Sequence, residues 1–130
     1  MTITHIKETC LYIKNLEKAI TFYSEILGFK LLSQVKDKHA FFRIGNTMLL
    51  LFNPENSRMK KSPPGHFAEG NQHIAFEVPA SQYENTKNDF NSRGIQIIDE
   101  LTWANKLKSF YFQDPSGNIL EIVPSGIWES

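Results

Sequence analysis

One pattern is written twice in this chain of 130 residues. The stretch "LYIKNLEKAITFYSEILGFKLL" reads as strand, helix, strand: Leu16, Ala19, Ile20, Tyr23, Ile26 and Leu27 recur at helical spacing, Asn15 suits an N-cap, and Gly28 suits the left-handed position that ends a helix. The runs "FKLLSQ", "AFFRIG" and "TMLLLF" follow as strands separated by the turns "KDKH" and "GN". The second half repeats the order. "HIAFEV" is a strand, Ser81 with Glu84 forms a capping box, Tyr83, Lys87 and Phe90 share a helical face, and Gly94 closes the helix. Strands around "IQIID", "KSFYF" and "NILEIV" complete it, with the turn "DPSGN" before the last. Each half is then a βαβββ unit, over residues 1–53 and 71–127, and the chain is expected to be a single α+β domain, residues 1–130.

Between the units, "NPENSRMKKSPPGHFAEGNQ" has no apolar periodicity and three prolines, the composition of a linker or a functional flap. Acidic and basic residues balance at 14 each, which argues against nucleic-acid and anionic-membrane partners and for a small molecule chosen by a pocket. Cys10 is the sole cysteine, so an intramolecular disulfide is excluded and a reducing, cytoplasmic setting is expected. No apolar run is long enough to span a bilayer.

Strand parity sorts the polar residues. Glu8 shares a face with Cys10 and Tyr12, His73 with Ala75 and Glu77, and Glu121 with Ile119 and Val123. The alternate positions, Leu11, Ile13, Ile74, Phe76, Val78, Leu120 and Ile122, are apolar and belong beneath the helices. A carboxylate in the otherwise apolar run "NILEIV" needs a cation or hydrogen-bond donors to offset its desolvation. Glu8, His73 and Glu121 therefore form a candidate site for a divalent ion that accepts nitrogen and oxygen ligands. The same spacing is compatible with plainer roles. His73 fits a hydrogen-bonded structural residue, Glu121 a cross-strand partner of Lys106 or Lys108, and Glu8 a solvated side chain.

The stretches "LYIKNLEKAITFYSEILGFKLL", "GNQHIAFEV" and "FYFQDPSGNILEIV" together resemble the vicinal oxygen chelate superfamily, which includes glyoxalase I, extradiol dioxygenases, fosfomycin-resistance proteins and bleomycin-binding proteins. The resemblance implies a glyoxalase-like half-barrel, with paired βαβββ units curving a mixed sheet around a cavity. It also implies a divalent metal, Mn²⁺, Mg²⁺, Zn²⁺ or Fe²⁺, held at the positions of Glu8, Leu49, His73 and Glu121. Leu49 removes a fourth ligand. Glu8 stands where histidine is usual in dioxygenases and fosfomycin-resistance proteins, which favours harder ions. "SFYFQDPSGNILE" is similar to the ligand-facing stretch of fosfomycin-resistance proteins, implying that Ser109 and Tyr111 meet a substrate. His66, in "PPGHFAEG", is a candidate general base if that loop covers the cavity, and otherwise an exposed loop histidine. His39 falls in a turn and receives no role, and Trp103 is a candidate pocket wall or core residue. The expected function is Lewis-acid catalysis on a small oxygen-rich molecule by lyase, isomerase or thiol or water addition chemistry, in a homodimer. The alternative is a metal-free, drug-binding module of the bleomycin-resistance kind.

Overall fold

A computed structural model describes residues 1–129. It divides into two compact units, the first Met1–Gly70 and the second from Asn71 onward. The first unit runs β1 (Glu8–Tyr12), α1 (Leu16–Thr21), β2 (Lys30–Val35), β3 (His39–Ile44), β4 (Thr47–Phe52) and a short α2 (Pro54–Ser57). The second runs β5 (His73–Val78), α3 (Tyr83–Ser92), β6 (Asp99–Thr102), β7 (Lys108–Gln113) and β8 (Ile119–Pro124). Each contains a four-stranded mixed sheet, in the orders β1-β4-β3-β2 and β5-β8-β7-β6. The outer pairs β1–β4 and β5–β8 are parallel and the remaining neighbours antiparallel. The fold is α+β, each unit running βαβββ as the repeated pattern implies, in the glyoxalase-like arrangement that the family resemblance implies.

The helix termini follow local chemistry. Asn15 Oδ1 accepts the Lys18 N–H at 3.1 Å, and α1 continues into a wider π turn over Phe22–Ile26. Gly28, at φ 78°, turns the chain so that the Phe29 N–H reaches the Tyr23 carbonyl at 2.9 Å. Beneath α1 lie Leu11, Ile13, Ala40, Phe42, Leu49 and Leu51, all buried. The second core follows the same parity. Phe90 of α3 packs edge-on against Phe110 and Phe112, with ring centroids 5.1 and 4.7 Å away, and Leu120 and Ile122 are buried beside them.

Three local expectations are corrected. Ser81 does not cap α3, because Ala80–Gln82 forms a tight 3₁₀ turn in which Gln82 N–H bonds to the Pro79 carbonyl at 2.8 Å, and the helix starts at Tyr83. The sixth strand is Asp99–Thr102 rather than "IQIID", since the ladder with β7 begins at Asp99↔Tyr111. His39 opens β3 instead of lying in the turn, which is made by Asp37 at φ 63° and Lys38.

The segment after β4 belongs to the first unit. Asn53 caps α2 through Glu55 N–H at 3.1 Å, and Ser57 and His66 then close a loop reciprocally. Ser57 Oγ–H donates to the His66 carbonyl at 2.7 Å while His66 N–H donates to the Ser57 carbonyl at 3.2 Å. Among the described residues, no helix is long and apolar enough to cross a membrane.

Candidate functional site

His73 is the first residue of β5 and Glu121 the third of β8, and the parallel register His73↔Ile119, Ala75↔Glu121 places them diagonally on one face. His73 Nδ1 lies 2.9 Å from the Ile119 carbonyl oxygen. A carbonyl only accepts, so Nδ1 carries the proton in that bond. Nε2 is thereby turned to Glu121 Oε1, 3.2 Å away. The carboxylate is only 7% exposed although its strand is otherwise apolar.

Tyr111 is the direct antiparallel partner of Glu121, and its ring centroid lies 6.1 Å from that of His73. Burial raises the Tyr111 phenol above the ordinary tyrosine range. A hydrogen bond from Ser109 opposes that rise, while the charge and hydrogen bond of Glu121, and Asp99, add to it. Ser109 itself is fully buried, and its oxygen accepts the Trp103 indole N–H at 2.9 Å. Ser109, expected to meet a ligand, is thus covered by Trp103 in this structure. Its hydroxyl is enclosed between Trp103 and Tyr111, and Tyr111 is the polar group through which it reaches Glu121.

The residues of this face suit a metal ion. Two donors held at about 2.1 Å by one ion lie roughly 3.0 Å apart at a right angle and about 3.4 Å apart at the tetrahedral angle. The 3.2 Å between Nε2 and Oε1 falls in that interval. The Ile119 carbonyl accepts from Nδ1, so Nε2 is the nitrogen that would be offered to an ion, the arrangement metal-binding histidines adopt. Among the described residues, no three His, Cys, Asp or Glu side chains are grouped to hold an ion. Glu8 is exposed on β1, in the first unit.

The first unit repeats the frame of the second. Met48 N–H bonds to the Lys7 carbonyl at 3.0 Å as Ile119 N–H bonds to the Gln72 carbonyl at 2.8 Å, which makes Glu8 the counterpart of His73 and Met48 that of Ile119. The counterpart of Glu121 is then Leu50, not Leu49. Leu49 points beneath α1 and is 1% exposed, whereas Leu50 shares the open face with Cys10 and Phe41. Burial, with the Glu8 charge second, raises the Cys10 thiol above its ordinary range, which disfavours the thiolate.

An aromatic group occupies the same face. Tyr12 Oη lies 2.6 Å from His66 Nδ1, and His66 stands edge-on to Phe52 with centroids 4.7 Å apart. His39 stacks on Phe41 at 4.1 Å, and burial, then Lys60 and Lys38, lower its pKa. Sequence reasoning passed over His39. The signal was present in the alternation of His39 and Phe41 with the buried Ala40 and Phe42.

Residues 2–122 match the family described as Glyoxalase/Bleomycin resistance protein/Dioxygenase superfamily. The chain belongs to this superfamily. It is 31% identical over 121 residues to the metallothiol transferase FosB of Staphylococcus saprophyticus, covering 92% of this chain and 76% of that protein. With the FosB of Staphylococcus epidermidis it shares 28% identity over 130 residues, 94% of this chain and 82% of that one. A crystal structure of lactoylglutathione lyase from Agrobacterium tumefaciens has a TM-score of 0.96 and 29% identity, with 100% of both chains covered. The matched span of the superfamily takes in Glu8, His66, His73, Ser109, Tyr111 and Glu121.

Proposed function

We propose that this superfamily member is a divalent-metal-dependent enzyme that adds a thiol to a small, oxygen-rich electrophile. The single observation that carries the reading is the His73–Glu121 pair, whose Nε2 and Oε1 stand 3.2 Å apart on a face that buries the carboxylate. Thiol chemistry is supported by the relatives, since the FosB proteins are metallothiol transferases and the A. tumefaciens protein is a lactoylglutathione lyase by name.

In this reading His73 and Glu121 would hold the ion with Glu8 as third ligand, while Leu50 offers it no donor. The ion supplies Lewis acidity towards substrate oxygens. Tyr111 donates to a substrate oxygen and is itself held by Ser109. His66 is the general base. In the tautomer whose Nδ1–H donates to Tyr12 Oη, its Nε2 keeps a lone pair and takes the thiol proton. A sulfur–carbon bond then forms as a carbon–oxygen bond breaks, and the released oxygen recovers a proton. Glu8 is proposed to come from a second copy in a homodimer, since members of this superfamily commonly complete such a cavity by pairing subunits about a two-fold axis.

The test is metal content after purification without chelators. The wild type should retain Mn²⁺, Mg²⁺, Zn²⁺ or Fe²⁺, and His73→Ala and Glu121→Ala should lose most of it. Glu8→Ala should lose less, because water replaces an exposed ligand. Mixing Glu8→Ala with His73→Ala chains should restore a fraction of sites with wild-type affinity, which neither variant has alone, if Glu8 is donated across a dimer. A wild type that binds no ion above background would make the protein a metal-free binding module instead. Thiol consumption in a screen of epoxides and related electrophiles then tests the reaction.

A further inference from the structure

Apart from His66, the aromatic end of the first unit's open face takes no part in the chemistry above. Strand register puts Tyr12 and His39 on opposite flanks of Phe52, in one row across β1, β4 and β3. Phe52 is 7% exposed and forms a floor. On the β1 flank, His66 is pinned by Tyr12 Oη, 2.6 Å from Nδ1, and its ring stands at 85° to that of Phe52. On the β3 flank, His39 and Phe41 stack within 10° of parallel, and each ring stands at 65° to Phe52. Upright rings therefore rise on both sides of Phe52, all of them within Met1–Gly70.

His39 and Phe41 are half-buried and His66 is exposed, so aromatic surface reaches solvent here. A flat ring laid along the upright pair extends a stack that already exists, a geometry no saturated ring matches. The charges that reach this end are cations. Lys38 directly precedes His39, and its carbonyl accepts the Asn53 N–H at 2.9 Å, which ties the β2–β3 turn to the start of the following loop. Lys60 lies in that loop, inside the span that Ser57 and His66 close. After burial, Lys60 and then Lys38 are what lower the His39 pKa. Both lysine side chains are exposed and free to meet an anion.

We propose that the Phe52 floor and the His39–Phe41 stack form a binding subsite for a flat aromatic anion, an aryl carboxylate, with its ring along Phe41 and its charge towards Lys38 and Lys60. The subsite goes beyond the metal reading and does not depend on it, since none of these residues is a proposed ligand of the ion.

Metal-free protein in chelator is titrated with naphthoate, and binding is read from the histidine ring Hε1 resonances, with His39 and His66 assigned by their loss in His39→Gln and His66→Gln. In the wild type both should shift along one saturable curve while His5 stays in place. Two further probes separate ring from charge. Naphthylmethanol keeps the flat ring without the carboxylate, and decahydronaphthoate keeps the carboxylate on a saturated ring; each should bind more weakly than naphthoate. Phe41→Leu should weaken naphthoate about two- to ten-fold, the worth of one aromatic contact. Lys38→Gln and Lys60→Gln should each weaken it about two- to five-fold, as expected of exposed ion pairs, and leave naphthylmethanol unaffected. If Phe41→Leu does not fold, the two lysine variants carry the test, because their side chains are exposed. Naphthoate that shifts neither His39 nor His66 overturns the proposal. Equal affinity for naphthoate and naphthylmethanol also overturns it, by making the face an apolar patch, and so does equal affinity for naphthoate and decahydronaphthoate, by leaving charge attraction alone. Unchanged naphthoate affinity in folded Phe41→Leu, or in both lysine variants, has the same force. A wild type that binds no metal overturns the proposed function and leaves this subsite standing.

Discussion

His73 Nε2 and Glu121 Oε1 stand 3.2 Å apart on neighbouring parallel strands, one side chain half exposed and the other nearly buried. The asymmetry makes the two residues unequal under mutation. In the metal-free protein, where Nε2–H can donate to Glu121, removing His73 takes one of its partners from a carboxylate that the fold has already desolvated, at a cost of about 1–3 kcal/mol. Removing Glu121 leaves an imidazole that water reaches. In chelator, His73→Ala should therefore destabilise the protein more than His73→Ala destabilises a Glu121→Gln background. Urea unfolding of the four proteins of this cycle measures the coupling, and strict additivity would mean the two groups do not interact.

Tyr83 fastens α3 to β6. Its hydroxyl donates to Glu100 Oε2 at 2.7 Å, and Lys87 Nζ meets Glu100 Oε1 at 2.8 Å. Burial first, then the hydrogen bond and charge of Glu100, push the phenol well above the ordinary tyrosine range. Tyr83→Phe keeps the ring on Phe110 and should cost about 1 kcal/mol near neutrality. The folded pKa is raised, so the stabilisation is complete below the unfolded tyrosine value, about 10, and is lost as pH rises through the folded value. The gap between wild type and variant should accordingly narrow in alkaline denaturation curves. A gap that widens with pH refutes the assignment.

The loop carrying His66 depends on Gly65. A Cβ there would lie 2.7 Å from the Lys60 carbonyl oxygen and 2.8 Å from that of Arg58, both backbone atoms that cannot swing aside. Gly65→Ala should open the Ser57–His66 clasp and destabilise the first unit by about 1–3 kcal/mol. Limited proteolysis should show new cleavage within residues 58–65. Wild-type resistance would show that the loop tolerates the side chain.

His39 gives the first unit a pH dependence of its own. Burial, Lys60 and Lys38 hold its pKa below the unfolded value, so native His39 resists protonation. Its contribution is present above the unfolded value, about 6.5, and is lost as pH falls through the folded one. His39→Phe, which retains an aromatic stack on Phe41, should lose less stability than the wild type between pH 7 and 5. Equal pH slopes for the two proteins would exclude His39 as the source.

What was legible in the chain is what local chemistry and strand parity determine. Asn15, Gly28 and Gly94 act within a few residues of themselves, and the two glycines do adopt positive φ, 78° and 74°. Parity alone put His73 and Glu121 on one face, because the side-chain period of a strand is independent of its partner. Ladder register was not legible. Leu49 differs from Leu50 only through the Met48–Lys7 hydrogen bond, and β6 starts at Asp99 only because Tyr111 lies opposite. Nor was the closure of the 53–70 segment on itself, which rests on one side-chain and one backbone bond between Ser57 and His66 that no periodicity signals. The polarity of the site is also a tertiary property, since Ile119, Ser109 and Tyr111 orient His73 and Glu121 through contacts across strands.

Leu50 offers a direct test of the repeat. It is 8% exposed at the position that Glu121 fills in the other unit, diagonal to Glu8 as Glu121 is to His73. A carboxylate placed there is desolvated between Cys10 and Phe41, so Leu50→Glu should cost about 2–4 kcal/mol in chelator, combining lost apolar packing with desolvation. Leu50→Gln should cost a comparable amount without adding charge. If Glu8 is a metal ligand, the new carboxylate gives the ion a further oxygen donor, and Mn²⁺ should raise the melting temperature of Leu50→Glu by more than it raises that of Leu50→Gln. Apparent Mn²⁺ affinity should be tighter in the Glu variant for the same reason. Melting curves of the two variants and the wild type across a Mn²⁺ series decide the matter. Identical responses from Glu and Gln would place Leu50 away from any bound ion and remove Glu8 from the proposed ligand set.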